Sequence, residues 1–121
     1  MIQIKDNEDL GEFLRRPRAI LFFDADWSGY AKISKQMVEF VEWYIELGKK
    51  DVSFYHGQFE DGLLPIGKEI QARGVPETCF AGNGSIAFFG SGKYLGEINS
   101  VIGAGNWAVW RNIENLFGIK C

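Results

Sequence analysis

Five consecutive apolar residues, Ala19-Ile20-Leu21-Phe22-Phe23, stand between Pro17 and Asp24. A run this short and this apolar suits a strand buried on both faces, the central strand of a largely parallel sheet covered by helices. The rest of the chain supplies such helices. Asn7 is expected to cap a helix over Glu8–Arg15, whose Leu10, Phe13 and Leu14 share one face and whose acidic start and basic end suit the helix dipole. Pro17 ends it. Lys32 to Leu47 reads as a long helix, with Ile33, Met37, Phe40, Val41, Tyr44 and Ile45 on one stripe and Gly48 as its stop. Ile2–Lys5 and Val52–His56 are further strand candidates. Leu63 to Ala72 reads as a shorter helix, with Pro65 in its first turn and Gly74 just past its end. Trp107, Trp110, Ile113, Leu116 and Phe117 mark a last helix, capped by Asn106, closed by Gly118 and packed onto the sheet through its tryptophans. Strands alternating with helices, then a hairpin, imply an α/β fold with a mixed sheet.

The chain has 121 residues, which fits one domain over 1–121. Its 46% hydrophobic content is that of a globular protein. Thirteen basic and sixteen acidic residues leave a charge of −3, which offers no basic surface for nucleic acid or an anionic membrane. No apolar run is long enough to cross a bilayer. The start, Met1-Ile2-Gln3-Ile4-Lys5-Asp6, lacks the basic and apolar stretches of a signal peptide, so a cytoplasmic protein is expected. Cys79 and Cys121 match no metal-ligand spacing. They read as two unrelated thiols, with a disulfide or a displaced redox pair as the alternative. Gly82-Asn83-Gly84 and Gly90-Ser91-Gly92 lack the Lys-Ser/Thr of a phosphate loop and read as turns. No cofactor is expected.

The segment Ala25-Asp26-Trp27-Ser28-Gly29-Tyr30-Ala31-Lys32 resembles the active-site stretch of the thioredoxin superfamily, Trp-Cys-Gly-x-Cys-Lys, with Ser28 and Ala31 in the cysteine positions. Gly74-Val75-Pro76 resembles the superfamily's Gly-Ile/Val-Pro element, whose proline is cis. The resemblance covers most of the chain and implies a three-layer α/β/α sandwich with a mixed central sheet. The register after Pro76 has two solutions. The preferred one pairs Thr78–Ala81 with Ser85–Phe89 across Gly82-Asn83-Gly84, since Asn-Gly is a strong hairpin signal. The other pairs Ile86–Phe89 with Tyr94–Ile98 across Gly90-Ser91-Gly92.

Disulfide exchange needs a thiolate and a resolving thiol. Ser28 is barely ionised at neutral pH and Ala31 has no reactive group, so catalytic residues are expected to be absent. Phe22 occupies the position of the buried acid found in thioredoxins proper. Ser28 could act as a nucleophile only with a base in reach, Asp26 or His56; the simpler role is to cap the long helix. The resemblance implies a peptide-binding groove of Trp27, Gly29, Tyr30, Val75 and Pro76, joined by Gly92 in the preferred register, where an extended peptide pairs with backbone. The expectation is a redox-inactive protein- or peptide-binding module whose oligomeric state is open. The alternative is a thiol–disulfide oxidoreductase in engineered form, because Trp-Cys-Gly-Tyr-Cys-Lys is an ordinary active site of the superfamily and Ser and Ala are substitutions used to disable one.

Overall fold

The computed structural model describes residues 1–59 and 64–120. Its elements are β1 (Ile2–Gln3), α1 (Asn7–Arg15), β2 (Ala19–Phe23), α2 (Gly29–Leu47), β3 (Ser53–Gly57), α3 (Pro65–Ala72), a 3-10 turn (Glu77–Phe80), β4 (Ile86–Gly90), β5 (Lys93–Ile98), α4 (Val101–Ala104) and α5 (Asn106–Phe117). The five strands form one sheet in the order β1-β3-β2-β4-β5. β1, β3 and β2 run parallel, and β4 and β5 are antiparallel to their neighbours.

β2 lies at the centre, as its composition requires, and all five residues are buried. The pleat sends Ala19, Leu21 and Phe23 to one face, where they join Phe13 of α1, Tyr55 of β3 and Ile70 of α3. Ile20 and Phe22 point the other way, to Val38, Val41 and Ile45 of α2 and Val109 and Ile113 of α5. Helices on both faces of a mixed sheet give three α/β/α layers.

The hairpin adopts the second of the two registers. Ile86 pairs with Ile98, Ala87 with Glu97 and Gly90 with Lys93, across Ser91-Gly92. The Thr78–Ala81 strand expected from Asn-Gly is instead mostly 3-10 turn. Burial decides between them. β4 is flanked by β2 and β5 and covered on both faces, so it needs continuous apolar residues. Ile86, Ala87, Phe88 and Phe89 are fully buried; Thr78-Cys79-Phe80-Ala81, of the same length, carries a hydroxyl and less apolar bulk and cannot fill that place as well.

Smaller corrections have local causes. Asp6 rather than Asn7 caps α1, its carboxylate accepting the Asp9 N–H at 2.9 Å. α5 begins with Gly105 as its cap residue, at φ +85°, because the short helix α4, capped by Ser100, ends immediately before it. Leu63, expected in α3, lies outside the described residues. Val75–Pro76 is not cis: the described peptide bonds are all trans. The Gly-Val-Pro tripeptide matched the superfamily's pattern, but it leads into a 3-10 turn and not into a sheet strand.

Candidate functional site

The stretch that follows β2 turns directly into α2, three residues earlier than the periodicity indicated. Ser28 has extended backbone, and its Oγ accepts the Ala31 N–H at 3.2 Å, so it is the N-cap. Its hydroxyl proton goes to the Gly82 carbonyl at 2.7 Å. With both hydrogen-bonding roles filled and the residue buried, Ser28 is a structural pin between the helix tip and the loop before β4.

That loop closes over the tip. A Cβ on Gly82 would collide with the Trp27 indole, and one on Gly84 would overlap the Ser34 side chain. Both glycines have positive φ, +79° and +73°, so the loop reaches this proximity only with glycine at these positions. The Gly84 carbonyl accepts the Val101 N–H and the Ser85 carbonyl accepts the Phe23 N–H, tying the loop to the sheet and α4.

Trp27 and Tyr30 stand outside this closed base, 70% and 68% exposed. Gly29 lies between them, also exposed, with open space where a Cβ would be. These three expected groove residues are together at the α2 tip. The other three are elsewhere. Gly92 sits at the opposite end of the sheet, where its carbonyl accepts from Arg73 Nη1 at 3.0 Å and its backbone packs on Leu14. Val75 is buried in the α1/α3-side core and cannot offer an edge to a peptide. Pro76 starts the 3-10 turn, its carbonyl bonded to the Cys79 N–H. The register of the hairpin accounts for these displacements: the residues between α3 and β4 place Phe80 to Gly84, not Val75-Pro76, beside Trp27. Phe23, Ala25, Trp27, Phe59, Phe80 and Gly82 help line a cleft of about 40 Å³ there, room for one or two waters and far below a ligand pocket.

His56 is in register with Phe22 on the adjacent strand. Its Nδ1 lies 2.6 Å from Asp24 Oδ2, and Lys35 Nζ is 3.3 Å from Asp24 Oδ1. Burial pushes the Asp24 pKa up, but the hydrogen bond and charge of His56, aided by Lys35, outweigh it and hold the carboxyl below its ordinary value. This cluster is absent from the sequence reading, which placed the superfamily's acid at Phe22. The signal was available: Asp24 is two residues on, on the same face of the strand. His56 is thus engaged with Asp24, and Asp26 lies beside Gln58; neither is bonded to Ser28, whose proton goes to Gly82. Phe22 is fully buried.

Cys79 is fully buried, with its thiol 3.8 Å from Asn99 Oδ1. Burial, with the nearby Glu97 charge, pushes its pKa up to about 11, the reverse of a reactive cysteine. Cys121 lies outside the described residues. The cysteine positions of the superfamily motif hold Ser28 and Ala31. No group of three or more His, Cys, Asp or Glu capable of holding a metal occurs among the described residues, and no described helix is long and apolar enough to cross a membrane.

No protein-family profile and no curated protein matches the sequence. Solved structures do match. A chain from a structure on thiol resolution in yeast mitochondrial 1-Cys peroxiredoxin superposes with a TM-score of 0.70 at 16% identity, over 96% of this chain and 95% of that one. A point-mutant thioredoxin of Halobacterium salinarum gives 0.70 at 16%, over 99% and 93%. Fasciola hepatica thioredoxin gives 0.67 at 14%, over 96% and 99%. Strand order, helix layers and near-complete coverage agree: this chain has the thioredoxin fold.

Proposed function

We propose that this chain is a redox-inactive thioredoxin-fold module that binds a protein or an extended peptide through the surface around Trp27 and Tyr30. The observation that carries this reading is the fate of Ser28. At the helix tip where disulfide exchange would begin, the side chain is a hydroxyl bonded both to Ala31 N–H and to the Gly82 carbonyl. The partner position is a methyl group, and the buried Cys79 is poorly suited to form a thiolate. What the tip offers instead is two exposed aromatic rings on a rigid base, the residue types that anchor protein interfaces.

The reading predicts no acceleration of insulin reduction by dithiothreitol. It also predicts that a partner captured by the wild type is lost from the Trp27→Ala/Tyr30→Ala variant while Lys93→Ala, an exposed change at the hairpin turn beside Gly92, retains it. Turnover that persists after Cys79→Ser removes the redox-inactive half; capture indifferent to Trp27 and Tyr30 removes the binding half.

The thioredoxins among the structural matches favour a second reading, a thiol–disulfide oxidoreductase disabled by substitution at positions 28 and 31. The Ser28→Cys/Ala31→Cys variant tests whether the tip retains the geometry. It is expected to form an intramolecular disulfide, read as a loss of two hydrogens by mass spectrometry. Failure of this variant, in its dithiol form, to accelerate insulin reduction with dithiothreitol as the electron donor counts against this second reading.

A further inference from the structure

α2 carries two apolar stripes. One, of Ala31, Val38, Val41 and Ile45 with Ser34 among them, is buried. The other, Tyr30, Ile33, Met37, Phe40, Tyr44 and Leu47, recurs at alternating steps of three and four residues, the spacing of a helix–helix seam. Apart from Met37, which is half-buried, its members are 45–68% exposed. Trp43, also exposed, lies beside Phe40 at a ring separation of 5.9 Å, and Tyr44 contacts Trp110 of α5 at 5.3 Å. The stripe runs along the whole of α2, about 28 Å for its nineteen residues. Scattered exposed apolar residues are ordinary, but a continuous patch of this length marks an interaction surface.

We propose that this stripe pairs two copies of the chain, α2 against α2 in antiparallel sense about a two-fold axis. Area supports a second copy as the occupant. At these exposures the five open stripe residues and Trp43 present about 700 Å² per chain, so self-pairing has up to about 1,400 Å² of this surface to bury, which reaches the range of stable specific interfaces. The apolar register sets the sense. Antiparallel pairing centred between Met37 and Phe40 faces Tyr30 with Leu47 of the partner subunit, Ile33 with Tyr44 of the partner subunit and Met37 with Phe40 of the partner subunit, so every layer joins one aromatic ring to one aliphatic side chain. Parallel pairing would set Tyr30, Phe40 and Tyr44 each against its own copy.

The pairing is independent of the redox reading, but it covers Tyr30 and so shares that residue with the proposed partner surface; its test leaves Trp27, Ser28 and Tyr30 untouched. Sedimentation equilibrium of the full chain is expected to show a dimer with a Kd in the micromolar range. Phe40→Glu and Leu47→Glu are each expected to raise that Kd at least about tenfold with the far-UV circular dichroism unchanged. Leu47 is the safeguard if Phe40→Glu disturbs the Trp110 contact and the fold. A chain that stays monomeric at about 100 µM overturns the proposal. So does a dimer indifferent to both glutamates.

Discussion

Replacing Ser28 by alanine separates a structural pin from a catalytic hydroxyl. The substitution removes two hydrogen bonds at once. Losing the N-cap of a nineteen-residue helix costs about 1 kcal/mol. The Gly82 carbonyl, left without its donor at a buried site, costs a further ~1–3 kcal/mol. The total is about 2–4 kcal/mol, a large part of the stability of a domain this size. In urea, with a slope of about 1.5–2 kcal/mol/M, the midpoint falls by roughly 1–2.7 M at unchanged slope. Intrinsic tryptophan fluorescence follows the transition, and circular dichroism at 222 nm should coincide with it. Ser28→Gly sharpens the test, because glycine at an N-cap costs only a few tenths of a kcal/mol. What remains beyond that is the orphaned carbonyl. A midpoint within about 0.3 M of wild type for Ser28→Ala would refute the pin and return Ser28 to the reactive candidates.

Three further outcomes test the same geometry. Gly84→Ala forces a methyl group into Ser34 at φ +73° and is expected to cost about 3 kcal/mol or more by chemical denaturation; a neutral result would mean that the loop does not pass under α2 as described. Asp24 is a carboxyl whose folded-state pKa lies below its ordinary value, so it stabilises the fold above the unfolded pKa of about 3.9 and ceases to as pH falls through the folded value. Asp24→Asn should therefore flatten the acid limb of a stability–pH curve, and an unchanged limb would place the acid sensitivity elsewhere. The Cys79 thiol, pushed up to about 11 by burial, should react with iodoacetamide at pH 8 at least about a hundredfold more slowly in the native than in the urea-unfolded chain. Peptide mass spectrometry distinguishes it from Cys121, and equal rates would contradict its burial.

The parts of the fold read directly from sequence are those in which one local signal dominates. Ala19–Phe23 emerges with the expected bounds because continuous apolarity between a proline and an aspartate has one reading in an α/β chain. The ends of α2 at Gly48 and of α5 at Gly118, and the place of Pro65 in the first turn of α3, follow from the backbone limits of glycine and proline, although that helix is expected from Leu63 and Leu64 is instead its extended cap residue. Ser28 and Ala31 at a helix tip were legible from a short motif, as was the absence of sulfur there.

Other features depended on what packs against what. Asn83-Gly84 is a sound hairpin signal, yet the glycines at 82 and 84 serve a close approach to Trp27 and Ser34, because only Ile86–Phe89 can fill a strand covered on both faces. Val75 and Pro76 resembled a groove element, but the length of chain between α3 and β4 carried them away from Trp27. Asp24 and His56 are thirty-two residues apart and meet only through parallel pairing of β2 with β3.

The two stripes of α2 show the division most plainly. The sequence by itself determined that this helix would be apolar around more than half its girth, and it fixed the three-and-four spacing of Tyr30 through Leu47. Periodicity has no reference direction, however, so it merged residues of both stripes into one. Only the tertiary structure decided that Val38, Val41 and Ile45 meet the sheet while Ile33, Phe40 and Leu47 face outward, because the angle at which α2 leaves β2 is set by Ser28 and its bond to a loop more than fifty residues away.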